Sequence, residues 1–345
     1  MKKYISLFLA VILAVTSLSS CKALDALEAL EELEQLEDSS ENKETEEVQD
    51  TGSSEDKTTI PLTLEHPAEI EAVARLSLVK VSTESKVRGS MGGGVYYENG
   101  TSGNVYIDAV FSAVNLSTEN KKPDEIFKAY ALNDEGKKLS SVLYCIETDG
   151  NTSVSNADPL LPMSEYRLHA AFSVPKTETE LTLCFEIGDA MYIYKYTQGN
   201  KDMIDRPLNA GGNLKIEEFG RLEYLGYEFT KMLKPSNTSG AYSYYNCETE
   251  GNTYLVLNFD LINYGTAGIP AESFVSVRAM FDGKYEYTGF VSREKTDRKG
   301  FSTFDEIAPL ESATVVGVIE IPESLMETPF EISVMFNNTE YTIVS

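Results

Sequence analysis

The chain has 345 residues, with 55 acids set against 29 lysines and arginines and a formal charge of −26. Affinity for nucleic acid comes mainly from cations that neutralise phosphates, so this balance argues against a nucleic-acid partner. The length allows about two domains of ordinary size.

The first predicted element is a leader. In "MKKYISLFLAVILAVTSLSS", Lys2 and Lys3 make a positive start, residues 5–15 are apolar and uncharged, and Ser17, Ser19 and Ser20 follow. That is the layout of a secretory signal, and its apolar run is shorter than the roughly 20 residues a spanning helix needs. Leu18-Ser19-Ser20-Cys21 resembles the lipobox of bacterial lipoproteins, in which cleavage falls just before a cysteine whose sulfur carries diacylglycerol. The resemblance implies a signal over residues 1–20 and lipid attachment at Cys21. The protein would then be held at the extracytoplasmic face of a bacterial cell membrane, where two acyl chains suffice for stable anchoring. Residue 22 is Lys rather than the Asp that resembles an inner-membrane retention signal. Loss of Lys2 and Lys3 with the leader takes the charge to −28.

Residues 21–57 follow as a tether. From 22 to 57 the chain carries 14 acids and three lysines. Leucines 24, 27, 30, 33 and 36 recur among strong helix formers, but a strict spacing of three winds around the helix and makes no coiled-coil seam. Residues 38–57 have one valine and no aromatic residue, a composition that cannot bury a core.

From residue 58 the chain repeats itself. Residues 61–81, "PLTLEHPAEIEAVARLSLVKV", lie over 207–227, "PLNAGGNLKIEEFGRLEYLGY", at a shift of 146. Residues 96–115 lie over 244–263 at 148, and Pro123/Pro270, Glu125/Glu272, Phe127/Phe274 and Pro175/Pro322 match at 147. So nearly constant a shift marks a tandem duplication, with domains at 58–200 and 201–345. Within each copy the apolar period is two. Ile107, Ala109, Phe111 and Ala113 alternate with polar residues, as do Leu255, Leu257, Phe259 and Leu261. The same holds for Leu168, Ala170, Phe172 and Val174 against Val315, Gly317, Ile319 and Ile321, and for Leu183 and Phe185 against Ile332 and Val334. Such alternation predicts strands with one buried face. About seven strands per copy, tight turns and no amphipathic helix predict an all-β chain of two tandem immunoglobulin-like Greek-key sandwiches.

Each copy also runs through a long strand ending in Asn, a Pro-x-Glu-x-Phe segment, an LxP turn ("PLLPMSE", "EIAPLES") and a strand ending in Pro. That order resembles the telokin-like, immunoglobulin-fold domains of uncharacterised Gram-positive lipoproteins. The resemblance implies a β-sandwich outside the cell and brings no catalytic residues with it.

Few residues fall in a pattern that carries chemistry. His66 lies in a loop; His169 alternates outward between Leu168 and Ala170, opposite Val316 in the other copy, so both histidines are expected on the surface. No triad, zinc, Walker or EF-hand pattern is present, and no cofactor or metal is expected. Export would permit a Cys145–Cys184 disulfide, whereas serines at the matching positions (Ser292, Ser333) argue against it; Cys247 stays unpaired either way. Tyr96-Tyr97 and Tyr244-Tyr245 occupy matching places, and tyrosine offers a rigid face and a hydroxyl to a partner. They are the candidate ligand contacts, with one ring of each pair expected to pack inward because neighbouring strand residues face opposite ways. These features point to a non-enzymatic surface module that binds a protein, peptide or glycan. An envelope- or host-polymer hydrolase with an unrecognised carboxylate site and a plain spacer are the alternatives.

Overall fold

The computed structural model describes residues 58–344 apart from 65, 66, 71, 140, 149 and 150. The leader, Cys21, the tether and His66 lie outside the described residues. In the first copy the main strands are β1 (Ala74–Glu84), β2 (Asn104–Asn115), β3 (Lys128–Leu132), β4 (Val142–Thr148), β5 (Glu165–Pro175), β6 (Glu180–Ile187) and β7 (Ala190–Thr197). Their counterparts are β8 (Gly220–Thr230), β9 (Asn252–Asn263), β10 (Val275–Phe281), β11 (Phe290–Glu294), β12 (Ser312–Pro322), β13 (Phe330–Phe336) and β14 (Thr339–Val344). The first copy forms one sheet in the order β4-β5-β2-β1 and another in the order β3-β6-β7; the second repeats this as β11-β12-β9-β8 and β10-β13-β14. Four strands facing three in this order is the arrangement of a constant-type immunoglobulin sandwich. The chain is an all-β protein of two sandwiches.

Each sandwich has its own core. Ile107, Phe111, Phe172 and Phe185 in the first and Leu257, Phe259, Ile319 and Val334 in the second are all 1% exposed or less, on the faces that alternation assigned them. Phe111 and Phe172 meet Phe185 edge-on at 5.1 and 5.8 Å between ring centroids, a geometry aromatic rings favour.

The repeated motifs have repeated jobs. Asn115 and Asn263, the last residues of β2 and β9, are fully buried. Each donates its side-chain amide to two carbonyls, Glu119 and Leu160 in one copy and Ala267 and Ile307 in the other. Each side-chain oxygen takes a backbone N–H two residues on, from Ser117 or Gly265. One side chain therefore ties the loop that leaves its strand to the segment that returns beside it. In the Pro-x-Glu-x-Phe segment, Pro123 opens a single helical turn, α1 (Pro123–Ile126), and Glu125 accepts the Lys122 N–H. The turn drops Phe127 into the core, and Phe274 does the same after a 3-10 turn at Ala271–Ser273. Both first strands bulge at the same place, between Leu78 and Lys80 and between Tyr224 and Gly226.

Pro61 and Pro207 begin matching edge contacts: Leu62 N–H donates to Ile193 O and Leu208 N–H to Thr342 O. A proline suits such an edge because it lacks a donor to waste. Residues Lys201–Met203 still pair with β1, and Pro207 already bridges β14. The change-over between sandwiches lies at residues 204–206.

A charged cleft between the two sandwiches

Strand parity turns Asp108 on β2, Glu147 on β4 and Arg167 and His169 on β5 away from the first core. All four are nevertheless buried, between 2% and 5% exposed. This corrects the expectation that His169 is a surface residue. Parity tells only that a side chain leaves its own core; here the second sandwich covers the outer face it enters.

Eight charges of alternating sign link side chain to side chain. His169 Nδ1 faces Asp108 Oδ2 at 2.9 Å and Nε2 faces Glu147 Oε1 at 3.0 Å. Arg167 Nε lies 3.2 Å from the same Glu147 oxygen and its Nη2 3.6 Å from Glu340 Oε2 of the second sandwich. Arg278 contacts both Glu340 at 3.4 Å and Glu286 at 3.3 Å. Arg88, back on the first sandwich, grips Glu286 through both terminal nitrogens at 2.5 and 2.7 Å. Buried charges persist only when paired and hydrogen-bonded, and this series pairs every member.

The array sets its own protonation. Burial alone would lower His169, but Asp108 and Glu147 outweigh it and raise the imidazole to about 9. With a carboxylate on each ring nitrogen, both must carry protons. Burial likewise pushes Glu147 up, yet Arg167, then His169 and Ser90, bring it down to about 2. Glu340 is also held below the usual carboxylate range, burial being overcome by Arg167, Lys80 and Arg278. Glu147 Oε1 receives Ser90, Arg167 and His169, while Oε2 is buried and receives nothing.

A cleft of about 570 Å³ opens beside the array. Lys80, Lys86, Arg88, Arg167, Lys201 and Arg278 line it, together with His169 and Glu340. The strap that carries Arg88 and Ser90 to its rim is fixed by Met91 N–H to Asn151 O and Gly94 N–H to Thr152 O. Gly89 is required there, since a Cβ would stand 2.3 Å from Asn151 O.

The second sandwich shares only part of this. Ser236 holds Glu294 as Ser90 holds Glu147. Where the first copy has Asp108, Arg167 and His169, the second has Val256, Thr314 and Val316, and the two valines lie under its own strap in an apolar cluster with Leu233 and Val318. The register opposes Arg278 to Ser333 and Glu340 to Met335 in copy two, and Tyr130 to Cys184 and Met191 to Glu186 in copy one. The Arg278–Glu340 ion pair thus replaces a Tyr130–Met191 contact at 3.8 Å. The signal was present in the sequence: charges on one face of one copy that the other copy lacks.

The tyrosine pairs divide as alternation requires. Tyr97 and Tyr245 turn inward; Tyr97 donates to Asn156 at 2.8 Å, and Tyr245 stacks on Phe301 at 5.6 Å. Tyr96 and Tyr244 turn outward at 46% and 48% exposure. Tyr96 lies beneath the ammonium of the cleft residue Lys86 at 4.2 Å, whereas Tyr244 leans on Tyr242. Cys145, Cys184 and Cys247 are all free thiols. Cys145 packs outside one sheet, in a cluster with Val87 and Val154, and Cys184 faces Tyr130 outside the other. The sandwich separates them by more than a disulfide can span.

Fold and cleft together define the class: a two-sandwich, all-β protein with a charged cleft between its domains. Neither a family model nor a curated protein matches the chain. Among solved structures, an uncharacterised β-sandwich protein from Clostridium difficile 630 is 19% identical, covering 41% of this chain and 95% of its own, with a TM-score of 0.38.

Proposed function

We propose that this chain is a lipid-anchored extracytoplasmic protein that binds its ligand in the cleft between the two sandwiches. The observation that carries the proposal is the cleft itself. It is walled by side chains on rigid strands, and the buried charge series that fixes the two domains together also fixes its shape, so little ordering entropy remains to be lost on binding. The constant-type strand order supports a telokin-like, immunoglobulin-fold relationship, and the lipobox-like Leu18–Cys21 stretch supports a module anchored to the cell membrane through Cys21. The partner is a surface protein, peptide or glycan, with nucleic acid disfavoured by the chain's charge. The proposal is of a binder rather than an enzyme, because the acids deepest in the cleft are committed to arginine and histidine.

The test is capture of surface-extract components or arrayed glycans by the mature chain, compared with Val344→Trp, which fills the cleft from an exposed rim position. Capture lost in Val344→Trp with an unchanged melting temperature supports the cleft. Equal capture by both proteins sinks it.

A further inference from the structure

Building on the cleft as the binding site, we infer that its ligand carries an oxyanion group, a carboxylate or a phosphate, received by Lys80, Lys86 and Lys201. The six cations of the cleft fall into two kinds. The arginines are spent: Arg88 is bidentate on Glu286, Arg167 is divided among Glu147, Asn338 O and Glu340, and Arg278 among Glu286, Ser333 and Glu340. Each guanidinium already has its charge balanced by carboxylates, so it has less to give a ligand than an ammonium in a loose pair. The lysines are not spent. Lys80 and Lys201 stand 3.5 Å from Glu84 and Glu331, longer than the 2.7–2.9 Å of a good charged hydrogen bond. Among the described residues, Lys86 makes no ion pair, not even with Glu98 opposite it in the ladder, and rests over the Tyr96 ring.

The sign of the ligand follows from what each kind of guest would have to break. The walls carry seven cations, His169 included, against five carboxylates, Glu84, Asp108, Asp282, Glu331 and Glu340. A cation would have to draw Asp108 or Glu340 from buried partners or compete with Lys80 and Lys201 for Glu84 and Glu331, which leaves it Asp282 alone. An anion needs only Lys80 and Lys201 to swing from loose pairs, of which Lys201–Glu331 is half exposed and therefore weak. Lys86 would meet the anion with no pair to break. Low-dielectric walls concentrate such a field, even within a chain of charge −26.

The test is calorimetric titration of the full mature chain at low salt with inorganic phosphate, succinate and, as a neutral control, glucose. The variant is Lys86→Gln/Lys201→Gln, which spares Lys80 because that lysine also steadies Glu340. Phosphate or succinate should bind and glucose should not, the stronger of the two anions showing which oxyanion the site prefers. The double variant should weaken that binding about tenfold, equivalent to about 1.4 kcal/mol, at an unchanged melting temperature. Failure of both anions to bind overturns the inference. So does unchanged anion binding in the double variant: if Val344→Trp still abolishes it, the lysine assignment alone falls, and if Val344→Trp leaves it intact, the cleft falls too.

Discussion

Asp108 and His169 occupy places where the second sandwich has Val256 and Val316, so the molecule contains its own comparison of a charged and an apolar solution to one site. Truncating one member of a buried charge pair strands the others, at a cost of about 3–5 kcal/mol, whereas replacing charges by well-packed apolar groups is often neutral. His169→Val alone should therefore destabilise the protein by about 3–5 kcal/mol, because it leaves Asp108 buried without its partner. Asp108→Val/His169→Val should recover most of that loss, as chemical denaturation would measure. If the double variant is no more stable than the single one, the pair is not a closed unit. Period-two alternation was enough to place Phe259 and its neighbours in the core, because that pattern is a property of one strand and its own sheet. It could not place His169, whose cover comes from residues more than a hundred positions away.

At the scale of the element, the turn before β5 and its copy before β12 show how a motif can be visible and its purpose hidden. Met163 and Leu310 hold left-handed backbones, φ 57° and 63°, with side chains 72% and 77% exposed. Each donates its N–H to the backbone of the strand-ending asparagine, Met163 to Asn115 O at 2.7 Å and Leu310 to Asn263 O at 2.8 Å. That bond, anchored by a buried amide, holds a conformation that costs an L-residue about 1–2 kcal/mol. Glycine removes that cost but loses about 0.4–1 kcal/mol through the freer unfolded chain. Leu310→Gly should thus be neutral or stabilise by up to about 1 kcal/mol, read as a raised melting temperature, since an exposed side chain forfeits no burial. Asn263→Ala should cost about 2–3 kcal/mol, because Ala267 O and Ile307 O each lose a donor and the Gly265 N–H loses its acceptor inside the fold. A marked loss of stability in Leu310→Gly would mean that the exposed leucine packs against something in solution. The sequence displays Asn and a Leu/Ile-x-Pro turn in both copies, but no periodicity reveals that the first exists to hold the second.

For the whole molecule, two independent cores are joined by a charge series that works only while every member is ionised, and this makes its stability a function of pH. His169 is raised from 6.5 to about 9 by Asp108 and Glu147, with Arg167, Lys80 and Glu340 nearby on the facing walls of the cleft. A group whose folded pKa is raised contributes fully below its unfolded value, and the contribution drains away as pH climbs to the folded one. His169 should therefore stabilise the protein fully below about 6.5 and not at all above about 9. Glu147, lowered from 4.5 to about 2, acts in the opposite sense: its contribution is complete above about 4.5 and is lost as pH falls through about 2. The melting temperature should then be level between about 4.5 and 6.5 and decline from 6.5 to 9. Tyrosines, lysines and thiols also titrate near the top of that range, but they are common to wild type and Asp108→Val/His169→Val. The difference between the two melting curves isolates the histidine: wild type should fall relative to the double variant between pH 6.5 and 9 and run parallel to it above. Parallel curves throughout would mean that His169 is not held as an imidazolium, and that the sandwiches are joined by Arg88, Arg167 and Arg278 without it.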